Sequence, residues 1–231
     1  MTDRAVLFDM DGTLVDSEGL HFDAMAQALL EMGYSLPERF ADRITGMSGA
    51  DCHALLQKTI GFTLPLADYI AGKYRSYLAA AARLKRRGGV DDVLTLLSQT
   101  RTPFAIVSNS DRILVDANLR AVDLQHPGLV SVSRNDVLRG KPDPEPYLRA
   151  AYLLGVSPRD CIVVEDSIPG AVAGLAAGMT VIGWPEPHRT DIVFPRAAIL
   201  ADPDDLSSAL ASLLSAPSDI RHFKDKTDVS R

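Results

Sequence analysis

Five short apolar runs recur along the chain, each closed by polar residues or glycine: Ala5–Phe8, Phe104–Val107, Leu129–Val132, Ile162–Val164 and Thr180–Ile182. Strands with one wet face alternate apolar and polar residues, whereas strands buried on both faces read as continuous apolar runs. The stretches between most of these runs carry a helical pattern. A strand–helix–strand series of this kind restricts the fold to an α/β class, with a parallel sheet covered on both faces. At 231 residues the chain has room for one large domain, or for one domain carrying an insert.

One segment breaks the series. From Ser17 to about Arg87 no run reads as a strand. Phe22, Met25, Leu29 and Met32 share a helical face, and Gly33 stands where a helix terminator belongs. Pro37 can open a second helix that Gly46 ends, and Ser48 can cap a third that closes before Gly61. Leu66, Ile70, Tyr74, Tyr77 and Ala81 make a fourth stripe. The expected organisation is a Rossmann-like core, residues 1–16 and 88–231, with an all-helical lid inserted at 17–87. Hinges are expected near Val15–Glu18 and Lys85–Gly89, and the polar tail after Ala216 is expected to fray. Gly170, Gly174 and Gly178 recur every four residues after a strand, which suits a helix packed closely on the sheet.

Composition removes several classes of function. A net charge of −6 and a pI of about 5.3 argue against nucleic acid as a partner. The basic run Lys85-Arg86-Arg87 reads as a solvated helix end. Cys52 and Cys161 share no metal-ligand spacing and suggest no disulfide framework, and Cys161, opening an apolar run, reads as a buried thiol. No apolar leader precedes Asp9 and no stretch is long and apolar enough to span a bilayer, so a reducing cytoplasm is expected; a monomer is the separate expectation for assembly. No GxGxxG follows any strand, which weakens a dinucleotide-binding reading.

In parallel α/β sheets, ligands bind beyond the carboxyl ends of the strands. There the first run delivers Asp9, Asp11 and Thr13, and the second Ser108 and Asn109. The segment after the third, "RGKPDPEPY", delivers Lys141, and the fourth run delivers Glu165 and Asp166. Singly, each has a plainer reading: a solvated turn at Asp9 and Asp11, a helix cap at Ser108, a helix start at Asp143-Pro144, a loop at Glu165-Asp166. Together they fall just after strands and would meet at one edge. Clustered carboxylates repel one another and need a cation, and oxygen ligands beside a substrate phosphate suit Mg²⁺. With the metal, a carboxylate can approach a phosphate. One Asp can attack phosphorus, and the other can protonate the leaving oxygen and then deprotonate water. A hydroxyl and a helix N-terminus can hold phosphate oxygens, and Lys141 supplies positive charge.

The segments "DMDGTLVDSE", "VSNS", "GKPDPEPY" and "VVEDS" resemble, in order and spacing, the four motifs of the haloacid dehalogenase superfamily. The likeness is to its capped phosphatase and β-phosphoglucomutase-like branch. It implies Asp9 as nucleophile, Asp11 as general acid and base, and Ser108 and Lys141 as phosphate ligands. It further implies Mg²⁺ on Asp9, the backbone carbonyl of Asp11, and Asp166. Glu165 stands where many relatives have glycine; in mutase-like relatives an acid there joins the metal shell. An acid two residues after the nucleophile separates phosphatases and mutases from true dehalogenases, because an alcohol leaving group needs a proton.

The segment "HFDAMAQALLEMGY" resembles the first cap helix of sugar-phosphate phosphatases and of β-phosphoglucomutase. His21 matches a position that, in the mutase, helps couple cap closure to the acid/base. The loop "ITGMSGAD" resembles the mutase specificity loop but has Thr45 and Gly49 where the mutase has Lys and Arg. Lys73 is then the remaining basic cap residue for substrate. The expected function is Mg²⁺-dependent hydrolysis of a small organic phosphate, a sugar phosphate above all, with a phosphosugar mutase as the alternative. A signalling receiver also uses a phosphorylatable Asp with Mg²⁺, a hydroxyl and a Lys, but receivers are about half this length and carry no helical insert.

Overall fold

The structure is a computed structural model describing residues 4–37, 40 and 48–216. In chain order its elements are β1 (Ala5–Phe8), β2 (Val15–Asp16), α1 (Glu18–Glu31), α2 (Gly49–Ile60), α3 (Leu66–Ala80), β3 (Lys85–Arg86), α4 (Val90–Thr100) and β4 (Phe104–Val107). Then follow α5 (Arg112–Ala121), β5 (Val130–Val132), α6 (Glu145–Leu154), β6 (Cys161–Glu165), α7 (Ile168–Ala176), β7 (Thr180–Gly183), β8 (Ile199–Leu200) and α8 (Leu206–Ser215).

The main sheet runs β5-β4-β1-β6-β7-β8, with every neighbouring pair parallel. The five expected strands are all present, with ends within a residue of the apolar runs. The sixth, the exposed pair Ile199–Leu200, is too short to stand out in a sequence. Strand side chains alternate between two cores. Val6, Phe8, Ile106, Ile162, Val164 and Ile182 pack on one face with Val93 of α4, Val115 of α5 and Leu210 of α8. Leu7, Ala105, Val107, Val163 and Val181 pack on the other with Tyr147 of α6 and Ala171 of α7. From β1 the chain builds outward to β4 and β5, then returns to β6 on the far side of β1. The strand order therefore reverses beside β1, and the crevice at such a reversal is where ligands bind.

On α7, a Cβ at Gly174 would stand 2.8 Å from Val181 and 3.2 Å from Val163, which is the close helix-on-sheet packing expected. Gly170 instead makes room for the Glu165 side chain, and Gly178 (φ +75°) follows the helix end in the left-handed region.

Between β2 and β3 the described elements are α1, α2 and α3 and a short 3₁₀ turn. Met25 and Leu29 of α1 join Cys52, Leu56, Phe62 and Tyr69 in a core of their own, with Phe22 and Met32 packed against it. The Ser48 hydroxyl accepts the Asp51 N–H at 3.1 Å, and Gly61 ends α2 at φ +66°, as its sequence predicts. The expected helix from Pro37 to Gly46, with Thr45 in it, lies outside the described residues apart from Pro37 and Phe40, as does the tail from 217. The α3 stripe needs correction: its buried residues are Tyr69, Gly72 and Tyr77, whereas Leu66 is exposed and Ile70 and Tyr74 are half-buried. Two cores share α3, one taking Tyr69 and Ile70 near its start and the other Tyr74, Tyr77 and Leu78 near its end, which a single stripe does not separate.

The basic run also needs correction. Lys85 and Arg86 form β3, antiparallel to β2, and Arg87 is buried. Both cysteines are buried; burial, with Asp160 beside it, pushes the Cys161 thiol up to about 11. Among the described residues no helix is long and apolar enough to cross a membrane.

Candidate active site

The turn after β1 sets the site. The Met10 carbonyl accepts the N–H groups of Leu14 (3.0 Å) and Val15 (2.9 Å), and Gly12 N–H donates to Val15 at 2.9 Å. This folds the chain back at once into β2 and leaves Asp9 and Asp11 at the strand end. Gly12 takes φ +78°, and a Cβ there would lie 2.4 Å from Asp166 Oδ2. A glycine is needed both for the backbone angle and for the approach of that carboxylate. Asp9 N–H donates to the Val164 carbonyl at 3.0 Å, which ties Asp9 to β6.

Lys141 arrives from the loop after β5. Its Nζ donates to Asp9 Oδ1 (2.6 Å), Glu165 Oε1 (2.6 Å) and the Val107 carbonyl (2.7 Å). Burial alone would lower this ammonium, but Asp9 and Glu165 outweigh it and hold it above the ordinary lysine range. Glu165 is fully buried: Oε1 also accepts the Tyr147 hydroxyl at 2.6 Å, and Oε2 accepts the Ser167 hydroxyl at 2.8 Å. Asp166 accepts the Thr13 hydroxyl at 3.2 Å.

Negative charge exceeds positive charge here. Burial pushes the Asp9 carboxyl well above its usual range, Lys141 opposing and Glu165 and Asp166 reinforcing. Burial, then Glu165 and Glu18, push Asp166 up to about 8. Oxygens of Asp9, Glu165 and Asp166 lie within 4.8 Å of one another. An all-oxygen set short of positive charge fits a hard divalent cation. Glu165 is the weakest member, since both its oxygens already accept hydrogen bonds within the protein.

Asp11 lies in a different setting. Oδ1 accepts Ser17 Oγ (2.7 Å), His21 Nε2 (3.3 Å) and Asn118 Nδ2 (3.1 Å), and Oδ2 accepts Ser110 Oγ (2.7 Å) and Ser108 Oγ (3.2 Å). Burial alone would raise it; the hydrogen bond and charge of His21, with the Ser17 and Ser110 hydroxyls, hold it well below the usual carboxylate range. Behind Asn118, the Tyr77 hydroxyl donates to Oδ1 at 2.9 Å, and the His21 ring lies 4.5 Å from that of Tyr77.

The structure thus gathers Asp9, Lys141, Glu165 and Asp166, and sets Ser108 and His21 on Asp11. Asn109, a candidate substrate ligand, meets the lysine loop: its Oδ1 accepts Lys141 N–H (2.8 Å) and its Nδ2 donates to the Lys141 carbonyl (3.0 Å), so the side chain braces that loop. Lys73 is half-buried on α3 and feels the charge of Asp11, but touches no acid among the described residues. Sequence reasoning missed Ser17, Ser110, Asn118 and Tyr147. Ser110, beside Ser108 after β4, was open to the same argument; Ser17 stands just before α1, and Asn118 and Tyr147 reach the site from α5 and α6.

The family model for haloacid dehalogenase-like hydrolases matches residues 6–184. The chain is 31% identical over 193 residues to a bifunctional riboflavin kinase/FMN phosphatase of Arabidopsis thaliana, and spans about half of that longer protein's length against 81% of its own. It is 32% identical over 199 residues to the 6-phosphogluconate phosphatase of Escherichia coli, covering 84% of this chain and 88% of the relative. A hydrolase structure from Deinococcus radiodurans, with bound phosphate and sodium, superposes with a TM-score of 0.70 at 33% identity, over 93% of this chain and 98% of that one.

Proposed function

The chain belongs to the haloacid dehalogenase-like hydrolases and is a phosphoric monoester hydrolase, and we propose that it hydrolyses a small phosphorylated carbohydrate with the aid of Mg²⁺. One observation carries this reading: a single buried lysine bridges Asp9 and Glu165, next to Asp166, at the crevice where the strand order reverses.

Lys141 holds Asp9 Oδ1 and leaves Oδ2 to attack phosphorus. The ester P–O bond breaks as the Asp9–phosphorus bond forms, and Asp11 gives its proton to the departing alcohol oxygen. Asp11 then takes a proton from water, whose oxygen attacks phosphorus and releases Asp9. Mg²⁺ on Asp9, Asp166 and the Asp11 carbonyl would neutralise the charge of the phosphate and allow the anionic nucleophile to approach. Glu165 fixes Lys141, and Asn109 fixes the backbone that carries it.

Asp11 as described is an ionised group with five donors on it, which suits a resting state. We assign residues 17–87 as a cap, with Ser17 and His21 as its contacts to Asp11. Cap movement would free Asp11 for proton transfer, and Lys73 would face the substrate. Gly49 supplies no cation for a second phosphate, which favours hydrolysis over the phosphosugar mutase alternative.

The test is a panel of phosphate esters assayed for released phosphate with Mg²⁺ and with chelator. Sugar and polyol phosphates should release phosphate only with the metal. With β-glucose 1-phosphate and a trace of the 1,6-bisphosphate, free phosphate should exceed glucose 6-phosphate; the reverse would establish the mutase.

A further inference from the structure

Arg87 lies at the end of β3, where the helical insert returns to the sheet, and only 8% of it is exposed. Its Nη1 donates to the carbonyl oxygens of Gly12 (2.9 Å) and Trp184 (2.6 Å), and its Nη2 to that of Pro185 (2.6 Å). The guanidinium carbon sits 3.6 Å from the centroid of the Trp184 ring. Its own N–H donates to the Leu14 carbonyl at 3.0 Å. Among the described residues it has no carboxylate at ion-pair distance.

A buried cation without an ionic partner is costly unless fixed dipoles replace its water. Here the replacement comes from three backbone carbonyls on two separate segments, together with an indole face. Only a planar fork with several donors can reach all of them. Trp184 is itself anchored: fully buried, with Nε1 donating to the Pro203 carbonyl at 3.0 Å and its N–H to the Glu165 carbonyl at 2.7 Å. Arg87 therefore ties the insert's return strand to the segment that backs Glu165 and Asp166, and to the peptide between Asp11 and Thr13.

That peptide is confined from its other side as well. The Asp166 carboxylate lies against the Gly12 Cα, where no Cβ fits, while Arg87 holds the Gly12 carbonyl. We propose that Arg87 is a positioning residue, which pins the turn after β1 against Asp166 and so sets the mutual placement of Asp9, Asp11 and Asp166. Among the described residues its side-chain hydrogen bonds go to backbone carbonyls alone, so it acts on the site through the Gly12 peptide. Its consequence for turnover rests on the phosphatase reading above; the pinning itself does not.

The experiment uses the full chain with Arg87→Lys and Arg87→Gln. Amide hydrogen exchange is followed by mass spectrometry on the peptide containing Gly12–Val15 and on peptides from β4 and β5. The kcat and KM for p-nitrophenyl phosphate are measured on the same samples. Loss of the fork should speed exchange at Gly12–Val15 by about 10- to 100-fold, the worth of one charge-assisted hydrogen bond, with β4 and β5 unchanged. The kcat should fall by about 10- to 100-fold with KM little altered, as for a small misplacement of reacting groups. Arg87→Lys, which keeps the charge but not the fork, should fail nearly as badly as Arg87→Gln. Wild-type exchange at Gly12–Val15 in a folded variant would overturn the proposal. So would exchange that rises equally across β4 and β5, which would make Arg87 a general stabiliser. The exchange arm needs no turnover, so a wild-type protein that released no phosphate would count against the function and not against the pin.

Discussion

Replacing Lys141 with methionine removes the one cation that, among the described residues, reaches both Asp9 and Glu165, while filling similar volume. Breaking a buried ion pair from one side costs about 3–5 kcal/mol. The lower end applies here, because Glu165 keeps the Tyr147 and Ser167 hydroxyls. A loss of ~3 kcal/mol lowers Tm by about 6–12 °C in a protein of this size. The loss depends on pH in a direction the site dictates. Asp9 and Asp166 already have folded-state values above their ordinary range, and Lys141 is a lowering influence on both. Without it they rise further. Acids raised on folding bind more protons folded than unfolded, so stability falls as pH rises above their unfolded values near 4. The Lys141→Met defect should thus be larger at pH 8 than at pH 5. Adding Glu165→Gln removes the stranded charge and should return about 1–2 kcal/mol. Urea unfolding followed by circular dichroism, in chelator at both pH values, measures all three proteins. A defect equal at the two pH values, or a double variant no more stable than Lys141→Met, would refute the reasoning.

Asp9→Asn should keep the fold and abolish phosphate release, since an amide cannot attack phosphorus; circular dichroism with a phosphate assay checks both. Asp11→Ala should slow alkyl phosphate turnover by ~10²–10⁴-fold, and single-turnover measurements should find p-nitrophenyl phosphate, with its better leaving group, less affected in the first step. Gly12→Ala should lose activity and about 1–3 kcal/mol of stability, from its positive φ and the 2.4 Å approach to Asp166, as read by thermal unfolding and phosphate release. Mg²⁺ should raise Tm more at pH 8 than at pH 5, because protons compete for Asp9 and Asp166 at the lower pH; a scan with and without the metal decides this.

The strands were legible because burial on both faces leaves an uninterrupted apolar run, and polar residues just after such runs must gather at one sheet edge. Asp9, Lys141, Glu165 and Asp166 could therefore be placed together before any coordinates. Arg87 was not legible. Its partners are backbone carbonyls of Gly12, Trp184 and Pro185, and a carbonyl leaves no mark in a sequence, so a basic run read as solvated surface. The bracing by Asn109 was hidden for a related reason: its amide closes on the Lys141 backbone. Asn118 and Tyr77 come from the middle of helices, where a polar residue aimed inward looks like any other. The α3 face went astray because the helix serves two cores at once.

The glycine at 170 carries a consequence for how this site could have changed through descent. A Cβ there would fall 1.7 Å from Glu165 Oε1, so the first turn of α7 and the acid at the end of β6 occupy space that only one of them can fill. A lineage bearing alanine at 170 could not acquire Glu165 in a single step without displacing the acid from Lys141. Replacing Gly170 while Glu165 is present would push the carboxylate off Lys141 and Tyr147. A side chain at 170 and the present placement of the Glu165 carboxylate therefore exclude one another. Transplanting Glu165 into a relative with glycine at that position therefore demands inspection of the residue five places on before any other.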